Sequence, residues 1–224
     1  MDREELKRFF ENYPDFWGHL NENEKNFTLE TSHCVSYHTG QSVHSSNNRC
    51  AGVLFLVNGD LRVYIMSEEG KEVTLYRLSA GDICIMSASC VMDDVTFDVY
   101  VDATTDVSAV LLPTSTFSKL QKGNIYIENF SNKIKARRFS DVMWTMQQIL
   151  FKKIDQRIAG LILDEANRNN TAELKITHDE IAKYIGSARE VVTKALKYLA
   201  EYDVIELQRG KIIVTDKEKL RKFI

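Results

Sequence analysis

Arg189 and Glu190, followed by Thr193, Lys194 and Lys197, are spaced so that one helical face presents two base-reading side chains and a row of cations. An arginine can donate two hydrogen bonds to guanine O6 and N7, and a glutamate can accept from cytosine N4, each worth about 1–3 kcal/mol of discrimination. The lysines suit phosphates. Val191, Val192, Ala195, Leu196 and Leu199 recur at helical spacing among them and predict a buried opposite face. Upstream, Ile181, Ala182 and Ile185 form an apolar stripe on a shorter helix. Gly186 suits the positive φ of a turn, and Ser187 stands where it can cap a second helix starting near Ala188. The run from Thr177 to Leu199 thus reads as a helix-turn-helix, with the hydroxyls of Thr177 and Ser187 joining its DNA-facing side. The alternative is a helical hairpin whose charged face is merely solvated.

Two alternating apolar runs, Val204–Leu207 and Lys211–Val214, flank Gln208, Arg209 and Gly210 and predict a β-hairpin. A helix-turn-helix followed by such a hairpin is a winged helix, and Arg209 and Lys211 at its tip are placed to meet a DNA backbone. Charge agrees with this division. Residues 1–150 hold 14 Lys/Arg and 20 Asp/Glu, a balance of −6, while residues 151–224 hold 15 and 12, a balance of +3. That excess is modest, so two copies would be needed to collect many phosphate contacts.

A second set of chemically capable residues lies in the first half. Cys84 and Cys90 are separated by five residues and interleaved with Met86, Ser87 and Ser89, while Cys34, Cys50, His33, His38 and His44 lie upstream. Sulfur and imidazole suit haem, an iron–sulfur cluster, zinc or a thiol redox switch, although no CxxC spacing is present. Buried core thiols without any cofactor are the competing reading, because free cysteine is among the most buried residue types. A cupin-like enzyme would need its histidines clustered with a carboxylate, and these lie five and six residues apart.

Positioning these groups requires an α+β chain. A helical segment from about Arg3 to Leu20, interrupted at Pro14, precedes short apolar runs between Cys34 and Leu112. Val53–Val57, Leu61–Met66 and Val73–Leu78, with turns at Asn58-Gly59 and Glu69-Gly70, predict successive strands of a sandwich or barrel. Ile125–Phe151 contains neither Gly nor Pro, which predicts one helix of about 40 Å. Ile127, Phe130, Ile134, Val142 and Met146 mark its apolar side and predict a seam with a second copy. Asp155–Glu165 predicts a shorter helix supporting the winged helix, with a hinge near Phe151–Ile154. The expected domains are 1–124, a β-roll sensor; 125–151, a dimerisation helix; and 152–224, the DNA-binding module. No run of 18 apolar residues exists and the polar start MDREELKRFF lacks a secretory core, so a cytoplasmic chain with no membrane partner is expected.

Taken in order, the strand region LFLVNGDLRVYIMSEEGKEVTLYRLSAGD, the long helix, DQRIAGLIL, IGSAREVVTKALKYL and VIELQRGKIIV resemble the Crp/Fnr superfamily of bacterial transcription regulators. The resemblance implies a homodimer that senses a signal in its N-terminal β-roll and reads a palindromic site in double-stranded DNA, with RNA polymerase a further candidate partner. Signal binding would repack the long helix and turn the DNA modules into register. Arg189 and Glu190 match the family's base-reading pair. Lys194 stands where a second arginine is usual, and Ala188 where a serine is usual, which implies a related but altered half-site. Cyclic-nucleotide members carry a Gly-Glu pair and an Arg-Ser or Arg-Thr after the GD turn, and the segment GDICIMSASCVMDDVTFDVYVDATTD has neither. From Arg77 to Lys119 there is no intervening Lys or Arg, but there are Asp82, Asp93, Asp94, Asp98, Asp102 and Asp106. A buried phosphate needs a paired cation, so the expected signal is a redox, gas or small apolar one sensed around Cys84, Met86, Ser87, Ser89 and Cys90. A DNA-binding protein with a ligand-free, degenerate β-roll is the alternative.

Overall fold

The computed structural model describes residues 1–45, 52–85 and 98–224, in two compact units. One comprises Met1–Met66 and Leu75–Val142, the other Ser67–Thr74 and Met143–Ile224.

Three helices open the chain: α1 (Arg3–Glu11), α2 (Pro14–Trp17) and α3 (Glu22–Thr31). Capping boxes start α1 and α3, with Asp2 accepting from the Glu5 amide and Asn21 from the Glu24 amide, both at 2.9 Å. The strands are β1 (His33–Tyr37), β2 (Ser42–His44), β3 (Val53–Asn58), β4 (Leu61–Met66), β5 (Glu72–Leu78), β6 (Ile83–Cys84), β7 (Tyr100–Ala103) and β8 (Val107–Leu112). They form two antiparallel sheets, ordered β1-β8-β3-β6 and β2-β7-β4-β5. The expected strand region is present, with turns at both expected glycines. Gly59 (φ +82°) admits no side chain, since a Cβ there would lie 2.3 Å from the Asp106 carbonyl oxygen.

β3 explains why its sequence is apolar without alternation. Leu54 and Leu56 face the core between the sheets, together with Leu61, Val63, Val101 and Leu111. Val53 and Phe55 face an aromatic core built with Phe10, Phe16, Trp17 and Phe130. Phe55 is its hub, meeting Phe10 edge-on at 5.3 Å and Phe16 at 5.4 Å. A strand covered on both sides has no polar face to show.

Helix α4 (Thr114–Gly123) leads to α5 (Ile125–Phe151), which is continuous over the predicted range. Its start differs from expectation. Ile127 and Phe130 are buried in the aromatic core and Ile134 packs against it, so these three expected seam residues are taken up by their own chain. The exposed apolar side lies later: Phe139, Met143, Met146 and Leu150, widened by Trp144, Ile149 and Phe151. Val142 is half-buried. A change of stripe along the helix separates the two faces.

The remaining elements are α6 (Ile154–Arg168), β9 (Glu173–Leu174), α7 (His178–Ile185), α8 (Arg189–Glu201), β10 (Ile205–Gln208), β11 (Lys211–Val214) and α9 (Lys217–Arg221). They enclose one core, to which α6 gives Ile158, Ala159, Ile162 and Leu163, and α8 gives Val192, Ala195, Leu196 and Leu199. A three-stranded sheet, β10-β11-β9, closes it.

Candidate nucleic-acid interface

Thr177 caps α7. Its hydroxyl donates to Glu180 Oε2 at 2.8 Å and accepts from the Glu180 amide at 3.2 Å, which fixes where the helix begins. Gly186 ends the helix in the left-handed region, at φ +65° and ψ +49°, with its amide and that of Ser187 returning to the Ala182 carbonyl. Arg157 of α6 donates from Nη2 to the carbonyl oxygen of Ile185, so the last turn of α7 is held by a charged donor from beneath. Burial lowers the pKa of that guanidinium.

Ser187 does not cap α8. The residue before the helix is Ala188, which has no side-chain acceptor and makes no cap. The buried stripe Val192, Ala195, Leu196 and Leu199 leaves Arg189, Glu190, Lys194 and Lys197 exposed on one connected face. Val191, expected in the core, is 42% exposed, because it lies about one helical step off that stripe. The guanidinium of Arg189 meets Asp179 on α7, Nη1 to Oδ2 at 3.2 Å. Thr193 donates to the Arg189 carbonyl at 2.9 Å, and its oxygen lies 2.9 Å from His178 Nδ1. A hydroxyl has one proton, so the imidazole nitrogen is the donor in the second contact, and Thr193 has no donor left for DNA.

At the wing, Arg209 is exposed beside Gly210, whose φ of +75° makes the turn. Lys211 is paired with Glu173 of β9 at 3.1 Å, so part of its charge is answered within the protein. The candidate surface thus joins the start of α7, the outer face of α8 and the β10–β11 tip.

The sensor residues read from sequence are only partly on view. Cys84 is buried on β6, whereas Met86, Ser87, Ser89 and Cys90 lie outside the described residues, as does Cys50. His33, His38 and Cys34 are exposed, while His44 is buried with its pKa lowered by burial. Among the described residues no three His, Cys, Asp or Glu side chains converge as a metal site. The sequence reading missed Arg138. Its guanidinium, nearly enclosed, lies 2.9 Å from Asp141 and 3.5 Å from Asp82 and over the Tyr76 ring at 5.1 Å. Two carboxylates therefore flank this cation of α5. Burial pushes the Tyr76 phenol well above its usual range, with the Cys84 thiol a smaller influence in the same direction.

A cyclic-nucleotide-binding-like β-roll followed by a long helix and a winged helix defines a DNA-binding regulator with an N-terminal sensor-type shell. Residues 34–124 match the family described as the cyclic nucleotide-binding domain, and residues 156–223 match the Crp-like helix-turn-helix domain. The chain superposes on a protein of the crp/fnr family from Eubacterium rectale with a TM-score of 0.90 and 38% identity, over 92% of this chain and 96% of that one. It is 27% identical over 197 residues to the cAMP-activated global transcriptional regulator CRP of Salmonella typhimurium, covering 84% of this chain and 93% of that protein. FixK2 from Bradyrhizobium japonicum, at 16% identity and a TM-score of 0.67 over 86% of this chain and 96% of that one, shares the fold. The chain belongs to the Crp/Fnr superfamily of transcription regulators. Among the described residues no helix is long and apolar enough to cross a membrane.

Replacing Arg157 with Met keeps the aliphatic stem and removes the donor to Ile185. The melting temperature, followed by circular dichroism, should fall by the equivalent of about 1–3 kcal/mol, and DNA affinity should fall with it. An unchanged melting temperature would contradict a structural role for this bond.

Proposed function

We propose that the protein acts as a homodimer whose two α8 helices read successive major grooves of a palindromic DNA site. The observation that carries this reading is the apolar stripe of α5. Phe139, Met143, Met146 and Leu150 follow one another at spacings of four, three and four residues, and Phe139 remains 67% exposed in the single chain. That is the a/d spacing of a two-stranded coil, and so much apolar surface in one line needs a cover. Of the seam residues expected from sequence, Met146 lies in this stripe and Val142 at its edge. Two-fold pairing would also double the modest positive charge available to phosphates.

On each half-site, Arg189 and Glu190 are the base-reading pair, with Lys194, Lys197 and Arg209 on phosphates and Lys211 a weaker contributor because of Glu173. Thr177 and Ser187 flank this surface as hydroxyls, Thr177 holding the start of α7. RNA polymerase as a further partner is supported by the family resemblance alone.

For the sensor, we infer a signal other than a cyclic nucleotide. The cAMP activation recorded in the name of the Salmonella relative does not transfer readily, because the sequence from Leu78 to Ser118 holds no cation and Arg138 already faces Asp82 and Asp141. A phosphate brought to this cluster would meet two carboxylates against one guanidinium. Cys84, buried in the β-roll, supports a redox, gas or small apolar signal as the reading for this unit.

Light scattering should give twice the 25.8 kDa chain mass, and Met143→Glu with Leu150→Glu should reduce it to the single chain. Wild-type mass in that variant would remove the seam. Duplexes selected from random DNA should show twofold symmetry, and Arg189→Ala should weaken the preferred duplex by about 1–3 kcal/mol per half-site while relaxing one base position. An intact base preference would overturn the assignment of α8. Adding cAMP at millimolar concentration should leave the affinity for the selected duplex unchanged, and a cAMP-dependent rise would refute the inference about the signal.

A further inference from the structure

The side chain that would do most of the base reading is not loose in the structure. Arg189 Nη1 lies 3.2 Å from Asp179 Oδ2, and both side chains are more than half exposed. A pair this open to water adds little to fold stability, so stability does not account for it. Its position does suggest a use. Asp179 sits in the first turn of α7 and Arg189 in the first turn of α8, so the pair spans the helix-turn-helix at the edge presented to DNA. One residue earlier, His178 donates to Thr193, whose hydroxyl is hydrogen-bonded to the Arg189 carbonyl. The start of α7 therefore braces both the side chain and the backbone of Arg189.

We propose that Asp179 is a specificity-determining residue of the DNA-reading surface. This rests on the reading above, in which α8 enters the major groove. Asp179 meets Nη1 as an ion pair at 3.2 Å, which leaves the Nη2 and Nε protons for the O6 and N7 of one guanine. Tethered by one arm, Arg189 meets that guanine with part of its rotamer freedom already restricted. On any other duplex the carboxylate acts in the opposite direction. It holds a cation that would otherwise seek phosphate, and it sets a negative charge near a polyanion. Asp179 thus suppresses binding to arbitrary DNA while modestly favouring the preferred site.

Fluorescence anisotropy of the full chain tests this, using the duplex selected by the wild-type protein and a scrambled duplex of equal length and composition, at several salt concentrations. For Asp179→Asn, affinity for scrambled DNA should rise about three- to tenfold, the ratio of selected to scrambled affinity should fall about five- to twentyfold, and the salt dependence should steepen by roughly one counterion per half-site. Asp179→Glu keeps the charge on a longer stem. It should still disfavour scrambled DNA while losing part of the ratio, which also covers the case of an Asn variant that folds poorly. An undiminished ratio in a folded Asp179→Asn protein overturns the proposal. Arg189→Ala in parallel separates the two readings: if it loses discrimination while Asp179→Asn does not, only the tether fails. If Arg189→Ala also keeps its discrimination, the major-groove assignment falls and the tether with it.

Discussion

Everything the C-terminal unit can do depends on how α8 is seated. Val192, Ala195, Leu196 and Leu199 lock one side of the helix onto α6 and the wing sheet, and burial of four such side chains is a large stabilising term. With that side fixed, Arg189, Glu190, Lys194 and Lys197 have no alternative to facing outward. Turn chemistry then sets the angle at which they do so. Gly186 allows the reversal, the Thr177–Glu180 box fixes the start of α7, and Arg157 holds its end. The apolar stripe supplies energy; the polar groups around it supply direction.

The N-terminal unit shows the same division in another form. Its two cores are apolar almost throughout, and the charged groups at their margin compensate one another. Arg138 is answered by Asp141 and Asp82, and the Tyr76 ring lies under its guanidinium. Family membership fixes the architecture of such a shell more firmly than it fixes what enters it.

Much of this could be read from sequence, and the omissions have physical causes. The helix-turn-helix was visible because its stripe, turn glycine and cap lie within 23 residues. The β3 strand was visible as an apolar run, although its service to two cores needed the fold. The start of α5 misled because periodicity reports that a face is apolar without saying whether the cover is the same chain or another. Ile127 and Phe130 found Phe16 and Phe55, which are distant in sequence. Helix α3 escaped notice because ENEKNFTLET buries only Thr28 and Leu29; the Asn21–Glu24 capping box was the available signal. Arg138 and Asp82 are 56 residues apart, and the Asp179–Arg189 pair crosses a turn, so neither follows from local spacing.

β3 has a mechanical consequence. Leu54 and Leu56 belong to one packed interior while Val53 and Phe55 belong to the next, so a single backbone serves as the common wall of both. Close-packed interiors compress very little. A shift imposed on the inner side of that wall is therefore passed outward to the ring of Phe55, and from there through Phe16 to Phe130 at the root of the long helix.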